Sequence, residues 1–338
     1  MSLSARYFCF LILAAASLSA LAAGGVSDPA PSPGVSESPA SGGQLHRDQS
    51  IVVGGLNRSF DIFLPDGLGS EAVPLVLLLH GHGGDADTMT GMNGNSAPFR
   101  IWLDIAARET LILLIPDGVV GPDGKTGWND CRADSTTNPT TDDVAFLQSL
   151  IQQVQQQYPV DDQRIFASGM SNGGFMSLRL AMEMADQIQA VAPIAAAMPA
   201  QSECPPPAEP VSVLFVSGTE DPLVPWYGGE VGGSGSGRGT VLSARDSVIY
   251  WVQHNQCPTS PSVSDLPNLD RWDGSTVRLY DLPGGLQNSR VTLYQVLGGG
   301  HAEPSRTERY SWLWELVVGR QNHDMEMAEE VWAFFASH

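Results

Sequence analysis

Gly169-Met170-Ser171-Asn172-Gly173-Gly174 fits the pattern G-x-S-x-G. A β-type run over 164–167 precedes it and a helical run over 175–184 follows. In that context a serine stands on a sharp strand-to-helix turn with its hydroxyl exposed. Gly169 and Gly173 have a steric reason, because a side chain at either would crowd the turn. The helix that follows presents its N-terminal end, which favours negative charge developing beside it. The chemistry such a serine performs is nucleophilic attack on a carbonyl. A glycine-rich turn that only packs a helix on a sheet is the bland alternative, and the strand before and helix after argue against it.

A serine hydroxyl is a weak nucleophile at neutral pH and needs an adjacent base. His301 follows Gly298-Gly299-Gly300, directly after a strand predicted over 291–296, and is free to reach over a site at the sheet edge. His254 and His323 carry no such flanking signal. The chain order Ser…Asp…His also asks for a late histidine. The acid should close a strand between the two. A strand predicted over 211–216 runs into Ser217-Gly218-Thr219-Glu220-Asp221-Pro222. Asp221 is the candidate, with Glu220 its rival; an Asp before Pro often only caps its own turn. Such an acid would hold the imidazole in one tautomer and stabilise its protonated form.

His80-Gly81-His82-Gly83-Gly84 follows a continuous apolar run over 73–79. Glycines there let backbone N–H groups approach a bound molecule. The expected oxyanion donors are the backbone N–H groups of His82 and Asn172, each worth about 3 kcal/mol to a transition state. His80 and His82 have no carboxylate or third histidine to complete a metal set, and the chemistry calls for no metal or organic cofactor. Trp128, Trp226 and Tyr227 lie in loops beside the expected site, and Trp128 and Trp226 are the candidate substrate contacts.

These residues need a scaffold. Short β-type runs at 51–53 and 59–64 flank Gly54-Gly55, a hairpin signal. The apolar runs at 73–79 and 111–115 suit strands buried on both faces. Helical spacing covers 98–108, 243–253 and 325–335. A helix expected to be capped by Thr141, with Asp142 and Asp143 in its first turn, carries an apolar stripe of Val144, Leu147, Leu150, Ile151 and Val154. Residues 119–140 lack a period and read as a long surface loop. Strands and helices alternate, so the expected class is α/β, a mostly parallel central sheet with helices on both faces.

The 338-residue chain has 17 Lys and Arg against 37 Asp and Glu, a formal charge of −20. Phosphate backbones would repel it, which argues against nucleic acid or an anionic membrane as a partner. Residues 1–23 read as a signal peptide: Arg6, then an apolar stretch too short to span a bilayer, then Ala20-Leu21-Ala22. Residues 24–44 form a Pro/Ser/Gly-rich spacer, and 45–338 form one catalytic domain. Export places the protein outside the cell or in a periplasm. Three cysteines follow the leader, Cys131, Cys204 and Cys257, which suggests one disulfide and one spare thiol with the pairing open.

In order along the folded part, the chain resembles the secreted poly(3-hydroxybutyrate) depolymerases and feruloyl or acetylxylan esterases of carbohydrate-esterase type. The matching stretches are residues 58–65 (RSFDIFLP), HGHGG at 80–84, Pro116-Asp117-Gly118, Gly127-Trp128-Asn129, Asp142-Asp143-Val144, GMSNGG at 169–174, GTEDPLVP at 218–225 and GGGH at 298–301. The resemblance implies an α/β-hydrolase fold and a secreted serine esterase. Ser171, Asp221 and His301 stand at the positions of that family's triad. The expected substrate is a carboxylic ester, such as a feruloyl or acetyl ester of plant polysaccharide or a short polyester. Two departures stand out. No cysteine lies near Tyr280 to partner Cys257, and Ala302-Glu303-Pro304 replaces the commoner Thr-Trp-Pro. A serine peptidase on the same fold, or a catalytically silent binding protein, are the other readings.

Overall fold

The computed structural model describes residues 42–338. The leader expected at 1–23, and all but the last three residues of the spacer, lie outside the described residues. The first described strand, β1 (Gly43–Val53), starts slightly before the domain boundary expected at residue 45. It turns on Gly54-Gly55, both at left-handed φ, into β2 (Leu56–Pro65).

Six strands form the parallel centre: β3 (Val73–Leu79), β4 (Ile112–Pro116), β5 (Val160–Met170), β6 (Ala190–Ile194), β7 (Ser212–Gly218) and β10 (Val291–Leu297). Two further strands, β8 (Ser262–Asp265) and β9 (Thr276–Leu282), close the far edge. The order across the sheet is β1-β2-β4-β3-β5-β6-β7-β10-β9-β8, with antiparallel pairing at both edges. All seven residues of β3 are buried. Leu75, Leu77 and Leu79 enter one core while Val76 and Leu78 enter the other, the period-two alternation of a strand covered on both faces.

The first core packs under α3 (Asp143–Gln157), α4 (Asn172–Glu183) and α5 (Ala244–His254). The second packs under α1 (Ala86–Thr90), α2 (Ile101–Glu109) and α7 (Met327–Phe335), where Phe166 of β5 stacks on Phe335 at 4.7 Å. One more helix, α6 (Trp312–Val318), lies between β10 and α7. No helix among the described residues is long and apolar enough to cross a membrane.

Three expectations need correction. The α3 cap is Asp142, whose carboxylate accepts the Ala145 N–H, and not Thr141. Asp143 does not serve the helix end alone. It is buried, pairs with Arg58 at 2.7 Å and accepts the Asn129 N–H at 2.7 Å. Residues 119–140 are not simply surface. Trp128, Asp130, Cys131 and Arg132 are buried, and the segment holds a ribbon of Val119–Val120 paired with Thr126–Gly127.

Asp61 on β2 gives a pH handle on stability. One oxygen accepts the Asp48 N–H at 2.9 Å; the other is buried without a hydrogen bond, and Arg47 is its nearest cation at 3.9 Å. Burial pushes its carboxyl from 3.8 up to about 6. The folded chain therefore holds this proton where the unfolded chain has released it. The stability that this group contributes is lost as pH rises from about 4 to 6. Asp61→Asn keeps the Asp48 bond and should add about 1–2 kcal/mol at pH 7 but nothing at pH 3.5, as read by urea titration at both pH values.

Candidate active site

Ser171 sits between β5 and α4 with φ 53° and ψ −115°, a conformation that a residue with a Cβ adopts only at a cost. Two close approaches impose it. A Cβ on Gly169 would fall 2.4 Å from the Gly173 carbonyl carbon, and one on Gly173 would fall 2.0 Å from Leu79 O. The turn is pinned by the Ser171 N–H to Ile194 O at 2.8 Å and by the Phe175 N–H back to Ser171 O at 2.9 Å.

Asp221 and His301 come from the ends of β7 and β10, neighbours that pair in parallel up to Val296 and Gly218. Beyond that pair the two chains nearly touch: a Cβ on Gly218 would lie 2.3 Å from Gly299 O. His301 Nδ1 and Asp221 Oδ2 are 2.8 Å apart, so the ring N–H donates to the carboxylate. Asp221 Oδ1 accepts the N–H groups of Leu223 and Val224, both at 2.7 Å. Both side chains are buried. With Nδ1 engaged, Nε2 is the nitrogen left for a substrate or hydroxyl. The rival acid, Glu220, is exposed and pairs instead with Arg320 at 3.2 Å.

Ser171, His82 and Asn172 line one shallow depression, together with Phe175, Arg132 and Arg238. Among the described residues, neither the His82 nor the Asn172 backbone N–H has a protein acceptor, while their surroundings are fixed. The Gly83 N–H donates to Thr126 O at 2.7 Å and the Gly84 N–H to Gly81 O at 3.0 Å.

The loop that carries His82 rests on His80, a residue whose role the motif did not reveal. His80 is fully buried; its Nδ1–H donates to Gly81 O at 2.7 Å and its Nε2 accepts the Gly118 N–H at 2.8 Å. That pattern needs the neutral ring, and burial lowers its pKa in the same direction. The His82 ring donates from Nε2 to Asp123 at 2.8 Å, and its pKa is lowered by burial first and by the Arg238 charge second.

Trp128 corrects an expectation. It is 0% exposed, so its ring cannot meet a substrate. Its indole N–H donates to His80 O at 2.9 Å and its ring lies 4.9 Å from the His80 ring. It holds up the His80 loop from below. Its backbone also grips the Asn172 side chain: Asn172 Oδ1 accepts the Trp128 N–H at 2.7 Å, and Nδ2 donates to Trp128 O at 3.2 Å and to Asp130 at 2.7 Å. Asp130 in turn pairs twice with Arg132. The Asn172 side chain is thus locked by three hydrogen bonds, and its backbone N–H, the expected oxyanion donor, is left without a protein acceptor among the described residues. No spacing could have shown this, because 42 residues separate Asn172 from Asp130. Trp226 is half-buried and lines a recess with Asp221 and Ser217, and Tyr227 is exposed.

Cys131 bonds to Cys204 across 73 residues, and Cys257 is a buried free thiol. The disulfide fastens the segment carrying Asp130 and Arg132. The one close group of potential metal ligands among the described residues, Cys131, Glu183 and Cys204, is built on this bond, so its sulfurs are not free to ligate. Replacing both disulfide cysteines by serine should remove about 2–5 kcal/mol of stability, measured by denaturant unfolding under oxidising conditions.

A parallel sheet in this strand order, with a serine on a strained strand–helix turn and a His–Asp pair at adjacent strand ends, defines an α/β-hydrolase, here a carboxylic ester hydrolase. Residues 54–265 match the family model for esterases described as "Putative esterase", and the chain belongs to that family. It is 27% identical over 304 residues to "Putative esterase NocK" of Nocardia uniformis subsp. tsuyamanensis, covering 83% of this chain and 80% of that one. It is 28% identical over 265 residues to "Probable feruloyl esterase C" of Aspergillus niger, covering 76% and 87%. With "Feruloyl esterase B" of Piromyces equi it shares 29% identity over 254 residues, 73% of this chain, and it spans only 43% of that longer protein.

Proposed function

We propose that the protein is an exported serine esterase in which Ser171 attacks the ester carbonyl. His301 Nε2 takes the hydroxyl proton while Asp221 holds Nδ1–H and stabilises the imidazolium. The tetrahedral oxyanion rests on the backbone N–H groups of His82 and Asn172. His301 then gives its proton to the leaving alcohol, and a water repeats the sequence to release the acid. No metal or organic cofactor takes part. The observation that carries this reading is the His301–Asp221 hydrogen bond, which leaves Nε2 as the only ring nitrogen available for proton transfer.

A fluorophosphonate probe tests it. The protein should be labelled once, and Ser171→Ala should not be labelled; labelling that survives in the variant would place the nucleophile elsewhere. The similarity to feruloyl esterases supports an aromatic or acetyl ester of plant polysaccharide as the substrate class, with short polyesters as the second option. Methyl ferulate, acetylated xylan and hydroxybutyrate oligomers, assayed side by side with a peptide panel, separate these. The leader-like N-terminus and the disulfide support export. Sequencing the N-terminus of protein recovered outside the cytoplasm checks it.

A further inference from the structure

The depression that holds Ser171 is lined by two arginines and by no carboxylate. The two are not equivalent. Arg132 is spent: it pairs with both oxygens of Asp130, donates to the Arg238 carbonyl and lies over the Phe175 ring at 4.1 Å. The guanidinium of Arg238 has neither an ion pair nor a hydrogen bond among the described residues, and the residue as a whole is half-buried. The carboxylates nearby are committed elsewhere. Asp123 holds the His82 ring, Asp134 holds Thr240, and Glu230 holds the N–H groups of Gly235 and Ser236.

The backbone beneath Arg238 is nonetheless fixed. Arg238 bridges to Ser135, and its N–H donates to Ser236 Oγ at 3.1 Å. Gly239, at φ 76°, packs so closely that a Cβ would lie 2.7 Å from Asp134 Oδ1. A pinned backbone presenting an unpaired cation on a half-buried residue beside the proposed nucleophile is the arrangement that recognises an anion. The charge also reaches the oxyanion side of the site, since it helps lower the pKa of His82.

We propose that Arg238 extends the site to esters whose acyl chain carries a carboxylate, that is, half-esters of dicarboxylic acids, and favours them over neutral esters of the same shape. This rests on the serine mechanism above. In that mechanism the leaving alcohol must lie by His301 to receive its proton. The acyl chain then points away from His301, and the depression at Ser171 has Arg238 and His82, but not His301 or Asp221, in its lining. The hydrolysis is otherwise unaltered: water adds to the acyl carbon, the ester C–O bond breaks, and the products are the dicarboxylate and the alcohol.

The test compares monomethyl succinate, glutarate and adipate with the corresponding methyl ester amides, which have the same shape without the charge. At pH 8 and low salt, kcat/KM for at least one half-ester should exceed that of its amide by about tenfold or more, most of it in KM. Added salt should shrink the ratio. In Arg238→Gln the ratio should fall to about one, and in Arg238→Glu below one, which a loss of folding would not produce. A direct binding readout uses Ser171→Ala: by calorimetry it should bind the half-ester more tightly than the amide, and Ser171→Ala/Arg238→Gln should not. A wild-type ratio near one at all three chain lengths, or a ratio that survives Arg238→Gln, overturns the role of Arg238 and leaves the serine mechanism standing. Hydrolysis of both esters by Ser171→Ala would overturn both.

Discussion

Ser171→Ala should lower kcat by about 10⁴–10⁶-fold with little change in folding stability. The loss is that large because the hydroxyl is the only group proposed to bond covalently to the substrate; what survives comes from the oxyanion donors and from binding. Stability should hold because alanine keeps the Ser171 backbone bonds to Ile194 and Phe175, and the side chain has no hydrogen bond that holds the fold. The backbone cost at φ 53° is the same for both residues. Ser171→Gly should behave differently, equally inactive but more stable by about 1 kcal/mol, since glycine occupies that region freely. Turnover with a chromogenic ester and thermal unfolding of the three proteins check both parts. An alanine variant with near-normal turnover would end the proposed mechanism.

Asp221→Asn should cost about 10⁴-fold in kcat while leaving KM nearly unchanged. Asparagine has the same shape, and its carbonyl oxygen can still accept the Leu223 and Val224 N–H groups, both now at 2.7 Å from Oδ1. That choice turns its NH₂ toward His301 Nδ1. The imidazole must then carry its proton on Nε2, where it can no longer accept one from Ser171. The fault lies in the tautomer and not in the fold, so unfolding curves should overlay. Asp221→Ala would confuse the result, because it also releases the two backbone donors that shape the 221–224 turn. Glu220→Gln, by contrast, removes only an exposed pair with Arg320 and should leave turnover within twofold.

Legibility in the sequence followed the range of the interactions. Ser171 was visible because its turn is built from neighbours within a few residues, where steric rules act directly. The pairing of His301 with Asp221 follows from strand ends and chain order, which put both residues at neighbouring strand tips. The buried strand β3 was plain from its unbroken apolar run. What escaped was held by partners distant in the chain. Trp128 looked like a loop aromatic that could meet a ligand, yet its bonds to His80 and Asn172 draw it inside. Residues 119–140 looked like surface because they lack a period, but an Asp–Arg pair and a disulfide bury their middle, and neither leaves a periodic trace. At the far edge β8 is wholly exposed and β9 carries Arg278 and Asp281, so neither shows the apolar pattern of a core strand. The short β6 leaves no legible trace for another reason. It is five buried residues, AVAPI, and the proline at its fourth position reads as a strand breaker.

The near-contact of the chain at Gly218, Gly299 and Gly300 has a practical meaning for anyone who wishes to alter this enzyme. A Cβ at Gly300 would fall 2.3 Å from Val318 O, so three backbones cross there with no room for a methyl group. A library randomised at those positions should return glycine almost alone among active clones. Diversity is better spent on the solvent-facing side chains of the 312–317 stretch, where Trp312, Leu313 and Leu316 are exposed and substitutions leave that crossing intact.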